Sequence, residues 1–409
     1  MPVPELELLT SYVSSVFLIE DVTAGDGKGL IARYRGRLSG GDPAAAYDQL
    51  DELLRPHNIT ALFRKDREKQ AVLLVHEPVP AGRSPRVWIN LVLFIITVLA
   101  VMLTGVEVPR LVSQQGFSAE MSYRLEHILT GWPFALAMLG ILFTHEMGHY
   151  VMCRRYKVPA TLPFFLPAPL LSPFGTLGAF IMMRGIPRNK RVLFDVGVAG
   201  PLAGLAVAIP VLFLGLSLSH LGQIEVPPAG MGGWLEGNSL FYLFAKFAVF
   251  GRMLPEPAGM NGLSPLAYWA KYFFAAYPVP FGGTDVMLSP VALAGWGGLL
   301  VTALNLVPLG TLDGGHVSYG LFGENARRIF PVAIGLLVFL SVLPILLTGS
   351  LNAFNYGWLF WIFILFWLGN VRTVPLDDIT ELDPARRTIG VFVLFAFFLL
   401  FTPIPMVAY

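Results

Sequence analysis

The stretch FTHEMGHYVM at 143–152 sets two histidines and a glutamate within five residues. On a helix, positions i and i+4 share a face, so His145 and His149 can aim their rings at one point with Glu146 beside them. Two imidazoles at that spacing suit a zinc ion, and the carboxylate between them can take a proton from an attacking water. The chemistry would be metal-assisted hydrolysis. The run before it, GWPFALAMLGILF (131–143), carries no charge. An ionisable side chain at bilayer depth costs about 2.5–3.5 kcal/mol, so three together point to a shared ligand. The plainer account, two core histidines satisfied by neighbours, stands against that cost.

A zinc ion that does chemistry takes a third protein ligand and keeps one position open. His57 and His76 belong to a soluble N-terminal segment and read as solvated surface. His127 and His220 fall on the far side of the membrane in the topology below. The better source is NLVPLGTLDGGH at 305–316. Asp313 stands there between Leu312 and a Gly-Gly that lets backbone come close; otherwise it is a turn or helix-end aspartate. His316 is the rival, although a carboxylate completes the site with less positive charge. Cys153 lies one turn beyond His149 and reads as a small residue in a packed helix. As the chain's only cysteine, it excludes an intrachain disulfide or a cysteine metal cluster.

The elements that position these groups follow from composition. Of 409 residues, 55% are hydrophobic and 13% charged, against about 25% charged in soluble proteins. The chain reads as a polytopic α-helical membrane protein of about six to eight spans, with the lipid bilayer as its surroundings. Its net charge of +1 gives no sign of a nucleic-acid partner. No cleavable signal peptide is expected, since YVSSVFLI at 12–19 is short and lacks a basic flank. Residues 1–80 read as a small soluble ββαββ domain with strands at 16–22, 29–38, 58–66 and 70–78. Its helix, 40–57, has Asp42 as N-cap, Pro43 in the first turn, and Tyr47, Leu50, Leu53 and Leu54 as one apolar stripe. A linker at 81–87 leads to a membrane domain over 88–409, with a catalytic core at about 132–325.

Spans are expected near 88–106, 132–153, 193–217, 288–307, 329–347, 355–371 and 389–408, each close to the roughly 20 residues that cross a bilayer. The connection at 154–191 carries seven Lys or Arg, while 348–354 has none and 218–287 has three. The basic side faces the cytoplasm. That puts the N-terminal domain in the cytoplasm and HEMGH near the cytoplasmic end of the second span. Apolar stretches within 218–287, broken by Lys246 and Lys271, suit interfacial or shallow re-entrant helices. Five prolines between 159 and 173 forbid a regular helix in a nearly apolar stretch. Such backbone must be buried in protein or line a cavity, and FGTLGAFIMM (174–183) could offer a strand edge to substrate. Asp195 reads as an N-cap, and Gly200 with Gly204 as a close-packing pair.

Four segments, FTHEMGHY, FGTLGAFI (174–181), FDVGVAGPLAG (194–204) and NLVPLGTLDGG, together resemble the site-2 protease family of intramembrane zinc metalloproteases. Their order and spacing fit over about 140–320, and ALAGWGGLLVTALNLVPLGTLDGGH looks most like the branch with the plastid EGY-type proteases and bacterial relatives. The resemblance implies one zinc ion on His145, His149 and Asp313, with Glu146 as general base. It implies that Asn305 helps hold substrate, and that 174–178 (Phe174, Gly175, Thr176, Leu177, Gly178) lies on a re-entrant β-loop that binds it. The substrates would be transmembrane proteins cut near the cytoplasmic face, in regulated intramembrane proteolysis. No inserted PDZ domain or trailing CBS domain is expected, which leaves substrate selection to the N-terminal domain. Two other readings are a metal-ion transporter, which gives Glu146 no task, and an inactive membrane scaffold, which the full set of catalytic residues opposes.

Overall fold

The computed structural model describes residues 5–25, 29–66, 69–76, 87–227, 233–349, 351, 355, 357–359, 361–363 and 373–408. The N-terminal unit runs α1 (Leu6–Ser14), β1 (Phe17–Ala24), β2 (Leu30–Leu38), α2 (Pro43–Leu54), β3 (Ile59–Asp66) and β4 (Lys69–His76). Its strands form one antiparallel sheet in the order β1-β2-β4-β3. Asp42 caps α2 by accepting from the Ala44 N–H, with Pro43 at the first helical position. Tyr47, Leu50 and Leu54 are fully buried on the sheet, whereas Leu53, at the margin of the expected stripe, is 36% exposed. Helix α1 was not expected; Leu9 and Val13 add it to the core beside Tyr34, Phe63 and Leu74.

Residues 373–383 return to this unit. The Asp378 N–H donates to the Phe63 carbonyl and the Phe63 N–H to the Leu376 carbonyl, each at 3.0 Å, and Ile379 enters the same core. Lys190 and Asp378 form a buried ion pair at 3.0 Å, and the Tyr319 hydroxyl donates to the same carboxylate at 2.9 Å. The small domain is thus tied to the helices that follow.

Among the described residues, four stretches are long and apolar enough to cross a membrane: Val87–Thr104, Ile128–Arg155, Lys190–Ser217 and Asp313–Thr348. The first is α3 (Val87–Thr104), followed by short helices α4 (Arg110–Ser113) and α5 (Phe117–Glu126), then α6 (Trp132–Arg155). The proline-rich connection turns back as a hairpin, β5 (Phe164–Pro167) and β6 (Thr176–Phe180). Asn90 on α3 fixes its start by donating to the Leu162 and Pro163 carbonyls at 3.0 and 2.9 Å. At the turn, Gly175 has φ +73° and sits so close to α3 that a Cβ would lie 2.6 Å from the Ala100 carbonyl. Only glycine meets both conditions.

Helix α7 (Lys190–Ser217) is the centre of the bundle and packs on α6 and on two later helices. Its N-cap is Asn189, which accepts from the Val192 N–H at 3.0 Å. The expected cap at Asp195 is therefore corrected: α7 starts a turn earlier, and Asp195 instead takes two bonds from the Arg386 guanidinium, at 2.8 and 2.6 Å.

Residues 218–287 contain β7 (His220–Gln223), β8 (Trp234–Glu236), α8 (Leu240–Phe250), α9 (Pro265–Ala275) and β9 (Thr284–Met287), with β7 paired to β9. Helices α8 and α9 have 11 residues each, about 16 Å at 1.5 Å per residue, too short to cross alone. Next come α10 (Pro290–Asn305), α11 (Asp313–Phe322), α12 (Ile329–Thr348), α13 (Pro384–Leu400) and β10 (Met406–Ala408), the last paired with β8. Helices α10 and α13, with 16 and 17 residues, are shorter than the spans expected there. The span expected at 355–371 and the linker expected at 81–87 fall largely outside the described residues. Phe134, Met138, Phe194, Leu212, Trp296 and Leu299 form the core between α6, α7 and α10.

Candidate metal centre

His145 and His149 lie one turn apart on α6, as their spacing requires, and Asp313 opens α11. The fold brings the three together across 168 positions. His145 Nε2 is 3.1 Å from Asp313 Oδ2, His149 Nε2 is 3.2 Å from Asp313 Oδ1, and the two Nε2 atoms are 3.2 Å apart. His145 and His149 are buried, and Asp313 is partly buried, with 14% of its side chain exposed.

These donors fit a zinc ion. Two nitrogens each about 2.0–2.1 Å from a tetrahedral ion stand about 3.3 Å apart, close to the 3.2 Å found between the imidazoles. His149 Nδ1 lies 2.7 Å from the Val196 carbonyl of α7. A carbonyl only accepts, so Nδ1 carries the proton and Nε2 presents its lone pair to the cluster. Two ring nitrogens and a carboxylate then converge, with no cation among them. Asn305, the last residue of α10, brings its amide nitrogen to 3.4 Å from His145 Nε2.

Close packing of backbone makes this possible. A Cβ on Gly200 would sit 2.0 Å from His149 Nε2, and one on Gly204 would sit 3.1 Å from His145 Nδ1. The glycine pair thus makes room for the two rings themselves. Glu146, between the two histidines on the same helix, is 4% exposed. His316, the rival ligand, stands outside the three-residue cluster. Its Cβ faces Gly197, and its ring lines a separate cavity of about 20 Å³ with Pro308, Tyr319 and Thr373. Cys153 packs with Val158, Val192 and Val196.

The strand residues divide. Phe174 is buried beside Trp296, with ring centroids 5.9 Å apart, and Thr176 is buried with its hydroxyl donating to the Leu166 carbonyl. Leu177 is 60% exposed, and Gly175 and Gly178 have positive φ. Val196 acts through its backbone carbonyl, so no side-chain pattern marks it.

The model of the family described as Peptidase family M50 matches residues 133–349, which hold all these groups. The chain is 27% identical to a "Probable zinc metalloprotease EGY1, chloroplastic" of Oryza sativa subsp. japonica, over 83% of this chain and 58% of the relative. It is 26% identical to a "Probable zinc metalloprotease EGY2, chloroplastic" of Oryza sativa subsp. indica, over 91% and 61%. To the Arabidopsis thaliana "Probable zinc metalloprotease EGY1, chloroplastic" it is 28% identical, over 63% and 40%. The chain thus spans roughly two-fifths to three-fifths of these relatives' length. No solved structure matches. With the family match covering more than half of its 409 residues, the chain belongs to peptidase family M50.

Proposed function

We propose that this chain is an intramembrane zinc metallopeptidase that cleaves transmembrane segments of membrane proteins near the cytoplasmic face. The observation that carries this reading is the convergence of His145, His149 and Asp313 within 4.8 Å, with Glu146 adjoining on the same helix. The relatives reported above carry the name probable zinc metalloprotease, and the ligand set suits zinc. When bound, zinc supplies Lewis-acid chemistry, polarising the scissile carbonyl and acidifying the attacking water.

The chain's own residues do the rest. Glu146 takes the proton from the attacking water and returns it to the leaving nitrogen. A helical substrate must be extended locally before it is cut, and lipid offers no partners for the groups this frees. In the hairpin, β5 lies along α3, which leaves the other edge of β6 for an added strand. Asn305, beside His145, holds the substrate amide near the metal ligands.

In this reading the membrane domain has six to eight spans with β5–β6 as a re-entrant loop. The domain at 1–80 faces the cytoplasm and selects substrates. The attachment of 373–383 to β3 supports its being held close to the site, not tethered at a distance. The test is Glu146→Gln in purified full-length protein with a membrane-embedded substrate. Zinc content should stay at the wild-type level while cleavage is lost. Cleavage at the wild-type rate would remove Glu146 from its role as base.

A further inference from the structure

We propose that Asp378 and Tyr319 are positioning residues for the metal centre: the Asp378 carboxylate accepts from the Tyr319 hydroxyl and so fixes α11, the short helix that brings Asp313 to the two histidines. The inference rests on the metallopeptidase reading. It gives the segment 373–383 a task at the site, and through that segment the N-terminal domain as well.

Helix α11 needs an outside hold. It has ten residues, DGGHVSYGLF, three of them glycine, and no side chain caps its N-terminus. Glycine is a poor helix former, and helices this short are marginal without tertiary contacts. Close backbone packing demands two of those glycines. A Cβ on Gly314 would lie 2.0 Å from the Leu306 carbonyl oxygen, and one on Gly315 would lie 2.4 Å from that of Gly310. Among the described residues, α11 side chains make hydrogen bonds at two points. One is Asp313 in the metal cluster; the other is Tyr319, whose hydroxyl donates to Asp378 at 2.9 Å. They stand six positions apart on the helix, about 9 Å. A helix fixed at the second point presents its first residue in one place.

Asp378 is itself held from several sides. Its carboxylate lies 3.0 Å from Lys190 Nζ, and the same ammonium donates to the Asp378 carbonyl at 2.7 Å. Lys190 is the first residue of α7, the helix whose Val196 carbonyl meets His149. The Leu376 and Asp377 N–H groups donate to the Pro187 and Arg188 carbonyls just ahead of α7, at 3.0 and 2.8 Å. The Asp378 N–H donates to Phe63 in β3, and Arg64 donates to the Pro375 and Leu376 carbonyls. One buried carboxylate thus joins α7, α11 and a strand of the N-terminal domain. The molecule carries its own control. The Tyr242 hydroxyl donates to the buried Glu236 carboxylate, also at 2.9 Å, but from α8, which holds no metal ligand.

The test uses the full chain in detergent micelles with zinc as the probe. Zinc affinity is measured by competition with a chromophoric chelator for wild type, Tyr319→Phe and Tyr242→Phe. Each variant loses one buried hydroxyl and keeps the ring. Tyr319→Phe should bind zinc about 2–10-fold more weakly, because zinc must then supply the ordering of α11 that one hydrogen bond had provided. Tyr242→Phe should bind zinc as wild type does. Wild-type affinity in a folded Tyr319→Phe protein, or an equal loss in Tyr242→Phe, overturns the inference. If Tyr319→Phe does not fold, hydrogen exchange in the wild type decides, since coupling is reciprocal. Zinc should slow exchange at 376–380 and leave the β8–β10 pair unchanged. No change at 376–380, or equal slowing in both places, overturns the inference. Wild type that takes up no zinc would overturn the metallopeptidase reading as well.

Discussion

Among the buried clusters of ionisable groups in the described residues, two solve the same electrostatic problem differently. Around Lys246, which is fully buried, the ammonium lies 3.2 Å from Asp285 Oδ1 and 4.7 Å from the centre of the Tyr242 ring. The Tyr242 hydroxyl donates to Glu236 at 2.9 Å. That cluster brings its own cation. At His145, His149 and Asp313 the groups converge as acceptors, with the His149 donor already spent on Val196. Burying charge without a partner is costly, so the second cluster is complete only with an added cation. A structural ion pair and a ligand site differ here in which charge the chain supplies.

The largest effect expected is on catalysis. Glu146→Gln should slow cleavage by about 10²–10⁴-fold, the usual range for a lost general base, and leave zinc in place. Next is the self-contained cluster. Lys246→Met strands two buried carboxylates and should cost about 3–5 kcal/mol in unfolding experiments, with zinc content unchanged. Adding Asp285→Leu should recover much of that loss. A loss of zinc in Lys246→Met would mean that the clusters are coupled, and the comparison would fail. Metal itself should separate them as well. Zinc at 100 times its dissociation constant should stabilise wild type by about 2.7 kcal/mol and Lys246→Met equally, but not Asp313→Ala.

Much of the site was legible because side-chain type carries the chemistry. His145, Glu146 and His149 follow from helical spacing, and Asp313 from the shortage of other ligands. The four strands and α2 of the N-terminal domain were legible from alternation and from Asp42-Pro43. Contacts made by main chain were not. The Val196 carbonyl belongs to a residue that any apolar stretch could contain. Nor was Asp195, whose partner Arg386 lies 191 positions away; an aspartate near a helix start looks like a cap until the true start is known. The return of 373–383 to β3 rests on backbone bonds to Phe63 and was silent for the same reason.

The smallest effect concerns that return. Lys65 and Glu381 pair at 2.8 Å with both side chains about half exposed, so Lys65→Ala should cost under about 1 kcal/mol and less in high salt. The Lys65 hydrogen bond and charge hold the Glu381 carboxyl below its ordinary value. The pair's contribution should therefore be full above the ordinary carboxylate range and vanish as pH falls through the lowered value. A pH titration of unfolding in wild type and Lys65→Ala reads it directly.

The most direct measurement is the zinc content of purified protein by elemental analysis, for wild type, His145→Ala and Asp313→Ala side by side. Wild type should hold one ion per chain, and each variant should hold far less. Zinc-free wild type, or an Asp313→Ala protein that keeps its full complement, would contradict the account.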